Sequence, residues 1–217
     1  MDSEKSKNAA QIIPRFIVFE GIDGSGTTTQ TDMLVRALQQ TERQVHATFE
    51  PTDSSIGILI RNILNGSETV CSSTMARLFA ADRCEHVFAP EVGLIDRYRR
   101  GEWIVSDRYV FSSLAYQGPL VGFDTVLQLN KGFPLPQWVF HLSLSGTSAM
   151  NRISHRKSFD IYENTEFQDK VSAAYQHAYN LFDYPDTEWV ELDATESPAE
   201  IHERVCTLLG ISPIQSM

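Results

Sequence analysis

One stretch near the amino terminus, Gly21-Ile22-Asp23-Gly24-Ser25-Gly26-Thr27-Thr28-Thr29, has the residue types and spacing of a phosphate cradle. Gly21 and Gly26 enclose four residues, as in a phosphate-binding loop. Glycine lets the backbone fold tightly and turn its N–H groups toward phosphate oxygens. A helix that follows adds its positive N-terminal end. Thr28 stands where the loop hydroxyl ligates magnesium. The residue before it departs from the motif. Lysine is expected there, to set a positive charge against the transferring phosphoryl group, and the chain has Thr27. Either transfer is lost or the cation comes from elsewhere. A second candidate follows another apolar run, where Trp103-Ile104-Val105-Ser106 leads into Asp107-Arg108-Tyr109. An acid at the end of such a run can hold magnesium, directly or through water. The arginine beside it can fork onto phosphate oxygens. A structural Asp–Arg ion pair is the plainer reading of that dipeptide, and a glycine-rich turn is the plainer reading of the loop.

These residues need elements that bring them together. Five short runs read as strands: Phe16–Glu20, Val45–Phe49, Trp103–Ser106, Trp138–Leu142 and Glu188–Leu192. The first is a continuous apolar run ending at glycine, as in a strand buried on both faces. Helical patterns lie between. Leu34, Ala37 and Leu38 keep helical spacing after the loop. Near the end, Ser197-Pro198-Ala199-Glu200 forms a capping box with proline at the first helical position. Ile201, Val205, Leu208 and Leu209 then share a face, and Gly210 stops the helix. Strands alternating with helices imply an α/β three-layer sandwich, a parallel sheet of five strands with helices on both faces. Ligands of such sheets sit beyond the carboxyl ends of the strands, where both candidate sites fall.

Composition narrows the function classes. Apolar residues make up 42% of the 217 and charged residues 21%, ordinary for a globular chain. With 28 acidic against 18 basic side chains the formal charge is −10, a poor match for long nucleic acid. Cys71, Cys84 and Cys206 are widely spaced and suggest neither zinc nor a disulfide framework, so a reducing cytoplasm is the expected setting. No run reads as a signal peptide or a membrane span. Residues 1–14 are read as a flexible tail, 15–211 as one domain and 212–217 as a second tail.

The motifs resemble those of the thymidylate kinase family, within the P-loop nucleoside-monophosphate kinases. Four segments carry the likeness: Phe19–Gly26, Leu78-Phe79-Ala80-Ala81-Asp82-Arg83, Asp107-Arg108-Tyr109 with Ser112–Gly118, and a charged lid at about 152–165. The resemblance implies ATP and dTMP as substrates, magnesium as cofactor, and a homodimer. It makes Phe79 the aromatic that stacks on thymine and Arg83 the residue that hydrogen-bonds the base. Asp23 holds the sugar 3′-hydroxyl, with Tyr116, Gln117 and, less directly, Ser112 lining the nucleoside. Glu50 precedes Pro51 in an acidic-proline turn, and Arg61 contacts the monophosphate. Two departures stand out. The arginine that usually precedes that acid is Phe49, and Asp160-Ile161-Tyr162-Glu163 has isoleucine where the family lid has arginine. Arg152, Arg156 and Lys157 precede it, and Gly24-Ser25 fits members whose lid supplies the cation.

The expected mechanism places ATP over Gly21–Thr29 and dTMP between Phe79, Arg83, Asp23 and Gln117. Magnesium lies near Thr28 and Asp107, with Arg108 and Arg156 neutralising charge on the moving phosphoryl group. Two rival readings remain at this level. A deoxynucleoside kinase shares the loop and the acid–arginine pair, and a degenerate nucleotide-binding protein would account for Thr27.

Overall fold

The computed structural model of the chain describes residues 11–153, 165–181 and 186–214. β1 (Ile12–Gly21) leads through the glycine loop into α1 (Thr27–Gln39) and β2 (Val45–Phe49). Then come α2 (Ser55–Leu64), α3 (Ser72–Phe88), α4 (Leu94–Arg99) and β3 (Trp103–Asp107). α5 (Val110–Val121) and α6 (Phe123–Asn130) connect to β4 (Leu135–Ser143). The chain continues through α7 (Gly146–Ile153) and α8 (Thr165–Leu181) to β5 (Glu188–Asp193) and α9 (Pro198–Leu209).

The strands form one parallel sheet in the order β2-β3-β1-β4-β5. The crossover from β1 to β2 runs one way across the sheet, and the later crossovers run the other way. Right-handed connections therefore put α1 on one face and the helices between β2 and β5 on the opposite face. The packing agrees: α1 touches α9, while α4 and α5 lie on β1 and α8 lies on α5. The three-layer expectation is met.

All five expected strands exist, and four extend beyond their expected bounds. β1 begins at Ile12, so Ile12–Pro14 belong to the sheet and not to a tail. The reason is a bulge. Arg15 has φ +63° and the register with β4 shifts between Ile13 and Ile17. Pro14 and Arg15 thus interrupt the apolar run without ending the strand. From Phe16 to Phe19 the strand is fully buried between its two neighbours.

α9 is built as its sequence dictates. Ser197 Oγ accepts the Glu200 N–H, Glu200 Oε2 accepts the Ser197 N–H at 2.9 Å, and Gly210 closes the helix at φ +64°. Ile201 and Val205 are buried, and α9 packs on α1. Ser197→Ala removes one half of the box. It should cost about 1 kcal/mol of stability, read as a lower urea midpoint at unchanged slope.

Candidate active site

Sheet register assembles the site. Phe19 of β1 and Phe49 of β2 both pair with Asp107 of β3. One residue further on, the three strands present Glu20, Glu50 and Arg108. The loop begins immediately after.

Close approach makes Gly21 necessary. A Cβ there would meet the Leu142 carbonyl oxygen at 2.9 Å and collide with the Ser25 side chain. Gly26 caps α1 in the left-handed region at φ +103°, where its own lack of a side chain matters. No side chain caps α1, and its first turn holds no acid. The N–H groups at this helix end therefore suit an anion. Thr28 and Thr29 are exposed, whereas Thr27 is buried and brings no charge. Arg156, the expected replacement cation, lies outside the described residues, as does Lys157. Arg152 does reach the loop. It donates to the Ala194 carbonyl at 2.6 Å and, more weakly, to the Gly24 carbonyl at 3.4 Å.

Thr28 and Asp107 come together as expected. The Thr28 hydroxyl donates to Asp107 Oδ2 at 2.5 Å, and Asp107 Oδ1 is buried with no partner. An orphaned carboxylate oxygen beside a hydroxyl fits a hard cation. Among the described residues no group of three or more His, Cys, Asp or Glu is poised for a metal. One carboxylate with a free oxygen beside a hydroxyl fits magnesium, which takes one or two carboxylates and completes its shell with water and phosphate oxygens.

Arg108 divides two cavities. One of about 430 Å³ lies on the side of Thr28, Asp32 and Asp107. The other, of about 270 Å³, lies on the side of Phe79, Gln117 and Arg61. Phe49, Glu50 and Arg108 line both. Arg108 has φ +71°, and its N–H is held by the Phe19 carbonyl at 2.8 Å. Its guanidinium pairs with Asp23 at 2.7 Å and sits 5.1 Å from the Tyr116 ring centre. Asp23 also accepts from the Tyr116 hydroxyl at 3.0 Å and from Gln168 Nε2 at 2.9 Å.

The second cavity has an apolar wall of Phe79, Leu64 and Pro51 and a polar wall that includes Gln117. Gln117 is buried and its Oε1 has no hydrogen-bond partner, so an amide oxygen waits for a donor. Arg83 is committed inward. Four of its five N–H groups are taken: two go to Glu50, at 2.9 and 2.5 Å, one to Ser113 at 3.0 Å, and one to Asn130. One N–H remains for a ligand. Glu50 in turn faces His86 Nδ1 at 2.9 Å, and Thr48 holds the far ring nitrogen at 2.7 Å. Glu50 thus lines the cavity as the counterion of Arg83. Arg61 stands at the rim. It donates to the Pro51 and Thr52 carbonyls at 2.7 Å and pairs with Asp53 at 2.9 Å. Ser112 lines the cavity too, but its hydroxyl points to Glu20.

Three residues at the site carry no assignment from sequence. Asn130 and Gln168 are isolated amides on helices, with no local signal to mark them. Glu20 did carry one, since an acid closing a buried apolar strand must find partners. It is fully buried, and that burial pushes its carboxyl up to about 7, with hydrogen bonds from Ser112 and Tyr175 and the charge of Arg108 pulling the other way.

A family model described as "Thymidylate kinase" matches residues 19–205. A putative thymidylate kinase of Treponema pallidum is 40% identical over 197 residues, covering 89% of this chain and 94% of the relative. A probable thymidylate kinase of Methanocaldococcus jannaschii is 36% identical over 201 residues, with 91% and 97% covered. The thymidylate kinase of Plasmodium falciparum is 32% identical over 194 residues, with 88% and 87% covered. The match begins before the glycine loop, spans both cavities and ends within α9, and on that ground the chain belongs to the thymidylate kinase family.

Proposed function

We infer that the chain transfers the γ-phosphoryl group of ATP to dTMP, giving dTDP. The observation that carries this reading is the junction of two cavities at Arg108, one beside the phosphate loop and one walled by Phe79 and Gln117. A kinase with two nucleotide substrates needs both, with a fixed cation between them.

The geometry and the family resemblance together support the following roles. The loop N–H groups and the start of α1 hold the ATP phosphates. Thr28 and Asp107 would hold magnesium, which supplies charge neutralisation to the phosphates when bound. Phe79 stacks on the thymine, Gln117 Oε1 accepts from its ring N–H, and Asp23 orients the sugar. Arg108 spans the gap across which the phosphoryl group moves, with Arg61 at the rim near the acceptor phosphate. The acceptor is already an anion, so no strong general base is required, and catalysis rests on positioning and charge stabilisation. Family membership sets aside the deoxynucleoside kinase, which would need a base for a 5′-hydroxyl. Purified chain with ATP and magnesium should phosphorylate dTMP and not thymidine; the reverse preference overturns the reading.

Assembly as a homodimer and a cytoplasmic setting belong to the same proposal. The cysteines are free, and among the described residues no helix is long and apolar enough to cross a membrane.

Phe79→Ala should weaken dTMP binding, seen by calorimetry, by roughly 1–3 kcal/mol, the worth of stacking on an aromatic side chain. Unchanged affinity sinks that assignment.

The cation missing at Thr27 is supplied by the basic segment after α7. Arg156→Ala should lower kcat at least about tenfold, and Thr27→Lys in that background should restore part of the loss. If Arg156→Ala and Lys157→Ala each keep native kcat, that compensation does not operate. Arg152→Ala is the companion measurement, because Arg152 already touches the loop.

A further inference from the structure

Glu20 has no part in the mechanism above. Yet it is fully buried, directly before the glycine loop, and its two oxygens take four hydrogen bonds. Oε1 accepts the backbone N–H of Tyr109 at 2.9 Å and that of Ser112 at 3.3 Å. Oε2 accepts the Ser112 hydroxyl at 2.5 Å and the Tyr175 hydroxyl at 3.1 Å.

Tyr109 is the N-cap of α5, and Ser112 is the third residue of that helix. Their N–H groups are the two that a capping box satisfies with its own side chains. α5 has no such box. Tyr109 makes no side-chain cap bond, its hydroxyl donates instead to the Pro134 carbonyl at 3.0 Å, and the first turn holds no acid. A single carboxylate from β1 therefore caps α5 from outside, at the helix end where negative charge is favoured. The residue before the cap is Arg108, in its left-handed conformation. The Phe19 carbonyl pins the turn on one side and the Glu20 carboxylate pins it on the other.

We propose that Glu20 is a positioning residue for phosphoryl transfer: as a carboxylate it caps α5 and fixes the turn that aims Arg108 at the phosphates, so turnover requires its ionised form. The proposal rests on the assignment of Arg108 to the phosphates.

The charged and titratable groups around Glu20 come from four elements. Arg108 and Tyr109 face it from the β3–α5 turn, Tyr116 lies on α5 beyond Arg108, and Tyr175 reaches it from α8. His141 of β4 is its register neighbour and is kept neutral by burial, which lowers it to about 4. Burial outweighs the attraction of Arg108 and raises Glu20 to about 7.

Stability and turnover then pull in opposite directions. An unfolded glutamate ionises near 4.5 and the folded Glu20 near 7. Between those values the folded chain keeps a proton that the unfolded chain releases, so native stability falls as the pH rises through that window and is level above it. A glutamine there escapes that fall. A side chain kept for packing alone would be better as glutamine above the window, whereas a positioning carboxylate would not.

The test measures kcat and the dTMP KM against pH, with saturating ATP and magnesium, for the native chain, Glu20→Gln and Tyr175→Phe. Urea unfolding of the first two follows over the same range. Glu20→Gln should lose about tenfold in kcat at about pH 8 while its dTMP KM stays within about threefold. Its stability should gain on the native chain as the pH rises. The native acid limb near 7 should vanish from the variant, leaving only the ionisation of the acceptor phosphate, at about 6 by analogy with phosphorylated side chains. Tyr175→Phe removes a donor that favours the carboxylate, so its limb should move to higher pH. Native kcat with an unchanged pH profile in Glu20→Gln overturns the proposal, and so does a loss confined to dTMP KM.

If Glu20→Gln does not fold, carbon NMR of the native chain carrying labelled glutamate decides. One carboxyl should titrate near 7, and the proposal fails if all of them titrate below about 5.5, within the ordinary range. Arg108→Ala keeps the two assignments apart. Native kcat in that variant removes Arg108 from the phosphates and this proposal with it. A loss of kcat there alone, with Glu20→Gln unaffected, removes only the role of Glu20.

Discussion

Parallel hydrogen bonding of β1 to β3 sets Phe19 opposite Asp107, and the chemical groups lie within a few residues of that line. The ladder continues one step beyond the sheet, because the Arg108 N–H still reaches the Phe19 carbonyl and the Glu50 N–H still reaches the Asp107 carbonyl. This fixes the vertical position of three strand ends against one another. A one-residue slip would turn Asp107 to the opposite face of the sheet and withdraw it from Thr28. The glycine loop, the acid and the arginine are therefore placed by backbone hydrogen bonds, and the ion pair from Arg108 to Asp23 only completes the arrangement.

Two buried acids then lock the turns that leave the sheet. Glu50 holds Arg83 and His86 beneath the second cavity, and Glu20 holds the start of α5. Neither arrangement need add net stability, since desolvating charge offsets most of the attraction. Their effect is geometric. Removing either partner leaves the other buried and unpaired, so each group fixes the position of the next. Arg83 illustrates the consequence: with four donors committed, its remaining N–H can point in only one direction.

The charge inventory of the transfer site is sparse where the family pattern is rich. Thr27 and Phe49 are both neutral, and Phe49 lines both cavities with nearly half of its surface exposed. Among the described residues Arg108 is thus the cation that lines both cavities, and an error in its aim is costly. Preorganised charge is effective only where it is held still, because reorganisation at the moment of transfer would consume the gain. A strained backbone at Arg108, fastened from both sides, meets that need.

Local chemistry was sufficient to read much of this molecule. The glycine loop, the five strands, the capping box of α9 and the acid–arginine pair depend on residues close together in the chain, whose conformational preferences act over a few positions. The likeness of four short segments then pointed to the substrates, and Phe79, Gln117, Asp23 and Arg108 do line the second cavity. What the sequence could not convey is where side chains spend their hydrogen bonds. Gln168 meets Asp23 from 145 residues away, and Asn130 meets Arg83 from 47. The bulge at Arg15 hid the start of β1, because a left-handed residue after proline looks locally like an ending. Glu50 carries an expected substrate contact and Glu20 only closes a strand in the sequence; the packed fold makes both of them buried supports. The physical reason is that partners for a buried polar group are chosen by three-dimensional proximity under exclusion of water, and no short-range pattern in a chain encodes that choice.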